Sequence, residues 1–230
     1  YFGVRAQKNP LDAWIYQEII HETRPDVIIE IGNGNGGGTL YLAHLCGLIG
    51  RGRVIGVDLS HEGVPGHVRS HPRITLITGD ACREFDRVRE LIARDERVLV
   101  IEDSSHTFDN ILAVMRFYSG LVKPGGYLIV EDGICRHGLD LGPEPGPYEA
   151  VEAFIAENPE FEIDRDRERF LITWNTKGYL RRKPGEAGGP GERRAAQVPG
   201  AKSAAVSPWE ALKLFLPPIF IKLFSLLKRT

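Results

Sequence analysis

At 230 residues, with 42% hydrophobic and 26% charged residues, the chain has the composition of a soluble globular protein with one principal core. Its formal net charge of −2 gives no global pull towards nucleic acid or anionic lipid. Cys46, Cys82 and Cys135 are scattered, with no pairing that would make a zinc site or a disulfide framework, and fit a reducing cytosol. The first residue is Tyr1, which leaves open a longer or processed chain, and no cleavable apolar signal follows it.

In chain order, Leu11, Trp14, Ile15, Ile19 and Ile20 recur at helical spacing over residues 10–24, ended by Arg24 and Pro25. Strand and helix signals then alternate: strand 27–31, helix 38–48, strand 53–58, a loop, strand 73–77, helix 84–94, strand 97–102, helix 108–121 and strand 126–131. Apolar runs bounded by Gly, Pro and Asp in this rhythm argue for a parallel sheet covered on both faces. A glycine- and proline-rich loop at 133–147, a candidate lid or an ordinary surface loop, leads to a helix at 148–157. Strands 161–166 and 169–175 follow as a hairpin with its connector at 166–168. One principal domain over 1–180 is thus expected, then a linker at 181–208 rich in Gly, Pro, Ala and charge, then an amphipathic helix at 209–230. Trp209, Phe215, Phe220 and Phe224 of that helix form a face for a membrane interface, for a partner subunit, or for packing back on the domain.

The strand 27–31 runs into Gly32, Gly34, Gly36, Gly37 and Gly38, and the next strand ends at Asp58. Glycines at a strand exit let backbone approach a ligand, and helix N-terminal N–H groups are left free to bond it. An acidic residue closing the following strand is placed to accept bonds from ribose hydroxyls. Glu30, two residues before Gly32, would repel a pyrophosphate and attract the amine of S-adenosylmethionine, which favours that cofactor over a nicotinamide dinucleotide.

A second feature is a set of acids at neighbouring strand ends: Glu102 and Asp103, then Glu131 and Asp132. Gathered carboxylates repel one another and resist desolvation unless a cation compensates. Mg²⁺ is the economical cation, held by Asp103, Glu131 and Asp132, with Glu102 turned to the other face by strand alternation. His106, three residues after Asp103, is a candidate general base facing the same crevice, with helix capping as its bland alternative.

The ordered pattern Pro10, Asp12, Tyr16-Gln17-Glu18, Arg24-Pro25-Asp26, Ile29-Glu30-Ile31-Gly32, Gly37-Gly38, Gly52-Arg53-Val54, Val57-Asp58, His71-Pro72-Arg73-Ile74, Asp103-Ser104-Ser105-His106, Tyr118, Leu121-Val122 and Gly126 to Gly133 resembles the cephalosporin hydroxylase and rhamnosyl O-methyltransferase family. The resemblance covers roughly residues 26–176. It implies a Rossmann-like α/β class I methyltransferase fold, a mostly parallel seven-stranded sheet with an antiparallel C-terminal hairpin. It further implies an S-adenosylmethionine- and Mg²⁺-dependent O-methyltransferase acting on a hydroxyl of a sugar or of a glycosylated natural product or lipid. By position, Glu30, Gly32, Gly34 and Gly36 would serve the methionine end of the cofactor, Asp58 its ribose and Asp80 its adenine. Asp103, Glu131 and Asp132 would hold the metal, with Asp103 and His106 in catalysis. The glycine loop is richer in glycine than is usual in the family, while Thr39 keeps its hydroxyl end. A cytoplasmic homo-oligomer without nucleic-acid partners is expected. The rivals are a catalytically silent binding module and a nicotinamide-dependent oxidoreductase.

Overall fold

The computed structural model describes residues 1–185. Most of the expected linker, and all of the expected helix at 209–230, lie outside the described residues. Helix α1 (Pro10–Thr23) starts where the Asn9 side chain accepts from Leu11 N at 3.0 Å, and stops where Arg24 turns left-handed with its N–H on Ile20 O. Then come β1 (Val27–Ile31), α2 (Gly37–Leu48), β2 (Arg53–Asp58), a single-turn α3 (Gly66–Arg69), β3 (Ile74–Thr78), α4 (Phe85–Glu90), β4 (Val98–Glu102), α5 (Phe108–Tyr118), β5 (Tyr127–Val130), α6 (Pro147–Glu157), β6 (Phe161–Ile163) and β7 (Tyr179–Arg182). Among the described residues no helix is long and apolar enough to cross a membrane.

The strands form one seven-stranded sheet in the order β3-β2-β1-β4-β5-β7-β6. The first five are parallel, and β7 runs antiparallel to both β5 and β6. Every residue of β1, β4 and β5 is buried, as a sheet covered on both faces requires. Alternate side chains divide the core. Ile29, Val100 and Leu128 pack with α4, α5 and α6, while Ile28, Leu99 and Ile129 pack with α1, α2 and α3. Successive strands are added outward in one direction from β1 to β3 and in the other from β4 onward, so a crevice opens at the carboxyl ends of the parallel neighbours β1 and β4.

The expected hairpin is corrected. Residues 169–175 are not a strand, and the antiparallel partner of β5 is β7, which reaches Arg182, past the expected end of the domain at 180. A Cβ on Gly178 would lie 1.9 Å from Val130 O, so this glycine is what lets the chain enter beside β5. The stretch before it is drawn to α1 instead. The buried Asp12 carboxylate accepts from Thr173 Oγ1 (2.6 Å), Trp174 N (2.8 Å) and Tyr179 Oη (2.8 Å). The apolar run that read as strand leaves Leu171 fully open to solvent. A four-residue helix stands in the expected loop after β2, the helix expected at 84–94 ends at Glu90, and the strand expected at 161–166 ends at Ile163.

Replacing Asp12 by Ala strands three donors at a site only 4% exposed. The expected cost is about 2–4 kcal/mol, read as a lower midpoint in urea unfolding.

Candidate active site

Gly32 leaves β1 at φ 87°, and a Cβ there would sit 2.0 Å from the Asp103 carbonyl oxygen. The first bend therefore rests directly on the end of β4, and only glycine permits that contact. Beneath the bend, Glu30 Oε2 accepts from Thr39 Oγ1 at 2.5 Å and from Asn33 Nδ2 at 2.9 Å. Asn33 Oδ1 meets His61 Nε2 at 3.1 Å, so the loop is pinned from both sides. Asp58 Oδ2 accepts from Gly34 N at 2.8 Å, which ties the end of β2 to the same loop. Asp80 accepts from Arg83 N at 3.0 Å.

These residues enclose a cavity of about 480 Å³, within the usual range for small-molecule sites. Gly32, Gly34, Asp58, Asp80, Asp103, His106 and Asp132 all stand in its wall. Glu30, Gly36 and Glu131 do not. Glu30 lies below the bend at 1% exposure, and Gly36 is the left-handed residue that starts α2. Among the described residues, nothing from the 133–147 loop lines the cavity.

Strand parity sorts the acids. Glu30 pairs in register with Ile101, and Asp103 N bonds Ile31 O, so Glu30 and Asp103 fall on the face covered by α1 and α2. Glu131, two residues after Ile129, falls there too. Lys8, from the segment preceding α1, places its ammonium among all three: 2.5 Å from Glu131 Oε1, 2.7 Å from Asp103 Oδ2 and 3.5 Å from Glu30 Oε1. Glu102 takes the opposite face, where the Ser104 hydroxyl and N–H cap one of its oxygens.

Burial, and then the charges of Asp103 on Glu131 and of Asp132 on Asp103, push these carboxyls up, against the pull of Lys8. Burial works against charge on Lys8, yet Asp103, Glu131 and Glu30 hold its pKa well above the ordinary value. Burial, with a smaller push from the Glu131 charge, raises Glu102 to about 7 against the hydrogen bonds of Ser104.

β5 has ended by Asp132, whose left-handed φ of 58° swings its carboxylate towards His106, itself at φ 59°. His106 Nε2 lies 3.4 Å from Asp132 Oδ2, while its buried Nδ1 has no partner. Two non-glycine residues in this sparsely populated conformation, side by side at a crevice, mark a strained site. Asp103, His106 and Asp132 offer ligand atoms all within 4.8 Å of one another. Glu131 is not in that group, because its carboxylate is turned to Lys8 and Tyr16.

The expected groups suit this donor set. The carboxylates of Asp103, Asp132 and Glu131 are oxygen donors of the kind a hard divalent cation takes, and the Lys8 ammonium between Asp103 and Glu131 shows that these oxygens attract a cation. Sequence reasoning missed Lys8, Asn33 and His61. Asn33 was visible inside the glycine run, but nothing local marks Lys8 or His61 as neighbours of the bend.

Gly32→Ala should lower the thermal midpoint by about 5 °C or more, since it adds a clash to a left-handed backbone. Gly34→Ala, with φ 50° and nothing within 4 Å of the added methyl, should cost less than half of that in the same melt.

The family model described as Rhamnosyl O-methyltransferase/CmcI matches residues 1–183. The rhamnosyl O-methyltransferase of Mycobacterium leprae is 36% identical over 193 residues, covering 80% of this chain and 82% of that protein. Its namesake in Mycobacterium tuberculosis is 34% identical over 189 residues, covering 78% and 76%. Among solved structures, CmcI without ligand superposes with a TM-score of 0.61 at 25% identity, over 80% of this chain and 75% of that one. CmcI with Mg and SAM gives a TM-score of 0.60 at 24% identity, over 79% and 75%. A class I methyltransferase sheet, a glycine bend set against an acidic strand end, and a family match over nearly all the described residues lead to one conclusion: the chain belongs to the rhamnosyl O-methyltransferase/CmcI family of O-methyltransferases.

Proposed function

We propose that the chain transfers the methyl group of S-adenosylmethionine, with Mg²⁺, to a hydroxyl of a sugar or of a glycosylated natural product or lipid. The observation that carries this reading is one cavity wall shared by the glycine bend, Asp58 and the cluster of Asp103, His106 and Asp132. The sugar class rests on the rhamnosyl relatives, and the metal on the CmcI structure described with Mg and SAM.

Asp58 and the N–H groups of the bend would hold the ribose and methionine parts of the cofactor, with Asp80 on the adenine side. Glu30 acts from below: it holds Asn33 and Thr39 and directs negative charge towards the cofactor amine. Asp103, Glu131 and Asp132 would hold the metal. When bound, the sulfonium offers an electrophilic methyl carbon, and the divalent ion acts as a Lewis acid that lowers the pKa of an acceptor hydroxyl. His106 takes the hydroxyl proton on Nε2 and passes it to solvent. Asp132 Oδ2, 3.4 Å from the same nitrogen, stabilises the imidazolium once the proton has arrived. Glu131 would have to turn from Lys8 to serve as the third carboxylate, and His106 is then free for this proton.

Asp103→Ala and Asp132→Ala should each reduce turnover by about a thousandfold or more while leaving cofactor affinity within a few-fold, and EDTA should do the same to the unaltered protein. Asp58→Ala should instead weaken the cofactor by about tenfold, measured by calorimetry. His106→Ala should lose turnover by about a hundredfold or more, without recovery at higher pH. Methyl transfer to a panel of glycosides, followed by mass spectrometry with labelled cofactor, tests the whole reading. Full activity after EDTA removes the metal, and cofactor binding without transfer to any acceptor makes the chain a binding module.

A further inference from the structure

Resting on the metal reading above, we propose that Lys8 is a tethered counter-ion: it neutralises Asp103 and Glu131 in the metal-free protein, and the divalent ion must displace it to bind. The segment that carries it is built as a strap. Arg5, Ala6, Gln7 and Lys8 form one wall of the cavity. They cross the start of α2 in a seat that two glycines leave open. A Cβ on Gly37 would lie 2.4 Å from Arg5 O, and one on Gly38 would lie 2.8 Å from Lys8 Cε. Gly37 and Gly38, read from sequence as part of a cofactor loop, are thus explained at least as well by the passage of this strap.

Between the buried Val4 and Asn9, which caps α1, the strap itself has few polar ties. Among the described residues, none of 5–8 makes a backbone–backbone hydrogen bond, so the ammonium on Asp103 and Glu131 is its main polar anchor. The contacts of that ammonium, at 2.7 and 2.5 Å, fall on two carboxylates the metal would use. A second cation on the same oxygens would face Lys8 at short range in a poorly solvated place, where like charges repel strongly. Three carboxyl groups, Glu30, Asp103 and Glu131, meet one ammonium, so the site has more oxygen donors than Lys8 can pair. Displacement then leaves residues 5–8 without that anchor and loosens one wall of the cavity.

Calorimetric titration of the cofactor-free protein with MgCl₂ tests this without any acceptor. Lys8→Met should bind Mg²⁺ at least about fivefold tighter than the unaltered chain, because no competing state has to be emptied, and Lys8→Arg should stay close to the unaltered value. An equal or weaker affinity in folded Lys8→Met overturns the role of Lys8 while the metal reading stands. Absence of Mg²⁺ binding to either protein overturns both. Should Lys8→Met fail to fold, trypsin decides on the unaltered chain: faster cleavage after Arg5 and Lys8 in Mg²⁺ supports displacement, and an unchanged rate overturns it.

Discussion

Negative charge at the carboxyl edge of three adjacent strands is the constraint around which the rest of this site is arranged. Glu30 below the tip of β1, Glu102 and Asp103 at β4, and Glu131 and Asp132 at β5 are brought together by the strand order, and most of them are buried. Such a gathering is costly to desolvate unless each oxygen finds a donor or a cation. The fold answers each acid separately. Thr39 and Asn33 serve Glu30, Ser104 serves Glu102, Lys8 serves Asp103 and Glu131, and His106 faces Asp132. The partners come from three different stretches of chain, around Lys8, 33–39 and 104–106, so the acidic edge depends on the complete tertiary structure and in turn organises the loops that meet there.

The second organising contact is steric. Gly32 against the Asp103 carbonyl fixes the distance between the cofactor bend and the acid cluster, and couples the two halves of the crevice. Gly178 against Val130 does a similar thing on the other flank: it seats β7 beside β5 and sends the preceding loop, with Trp174, to the cavity wall. In both cases a missing side chain permits a backbone approach that brings reactive groups within range of one another.

The strained conformations at His106 and Asp132 belong to the same economy. Regular strand continuation would send Asp132 to the face opposite Glu131. Its left-handed turn instead brings it to His106, in the wall of the same cavity. Strain at a crevice, carried by a well-packed parallel sheet, is a feature that clusters at functional sites.

Much of this protein was legible in the sequence. The alternation of apolar runs with Gly, Pro and Asp located the first five strands and the main helices. The glycine run with Asp58 located the cavity, and the paired acids located its second half, because these are local signals of period and composition. The antiparallel edge was not legible: residues 169–175 have the composition of a strand, and it took the hold of Asp12 and the slot opened by Gly178 to make Tyr179–Arg182 the strand. Sequence by itself determined which acids exist and at which strand ends they fall. Only the tertiary structure decided which of them share a cation, because that depends on strand parity, on a left-handed turn at Asp132, and on a lysine about a hundred residues distant that the fold carries across the first bend.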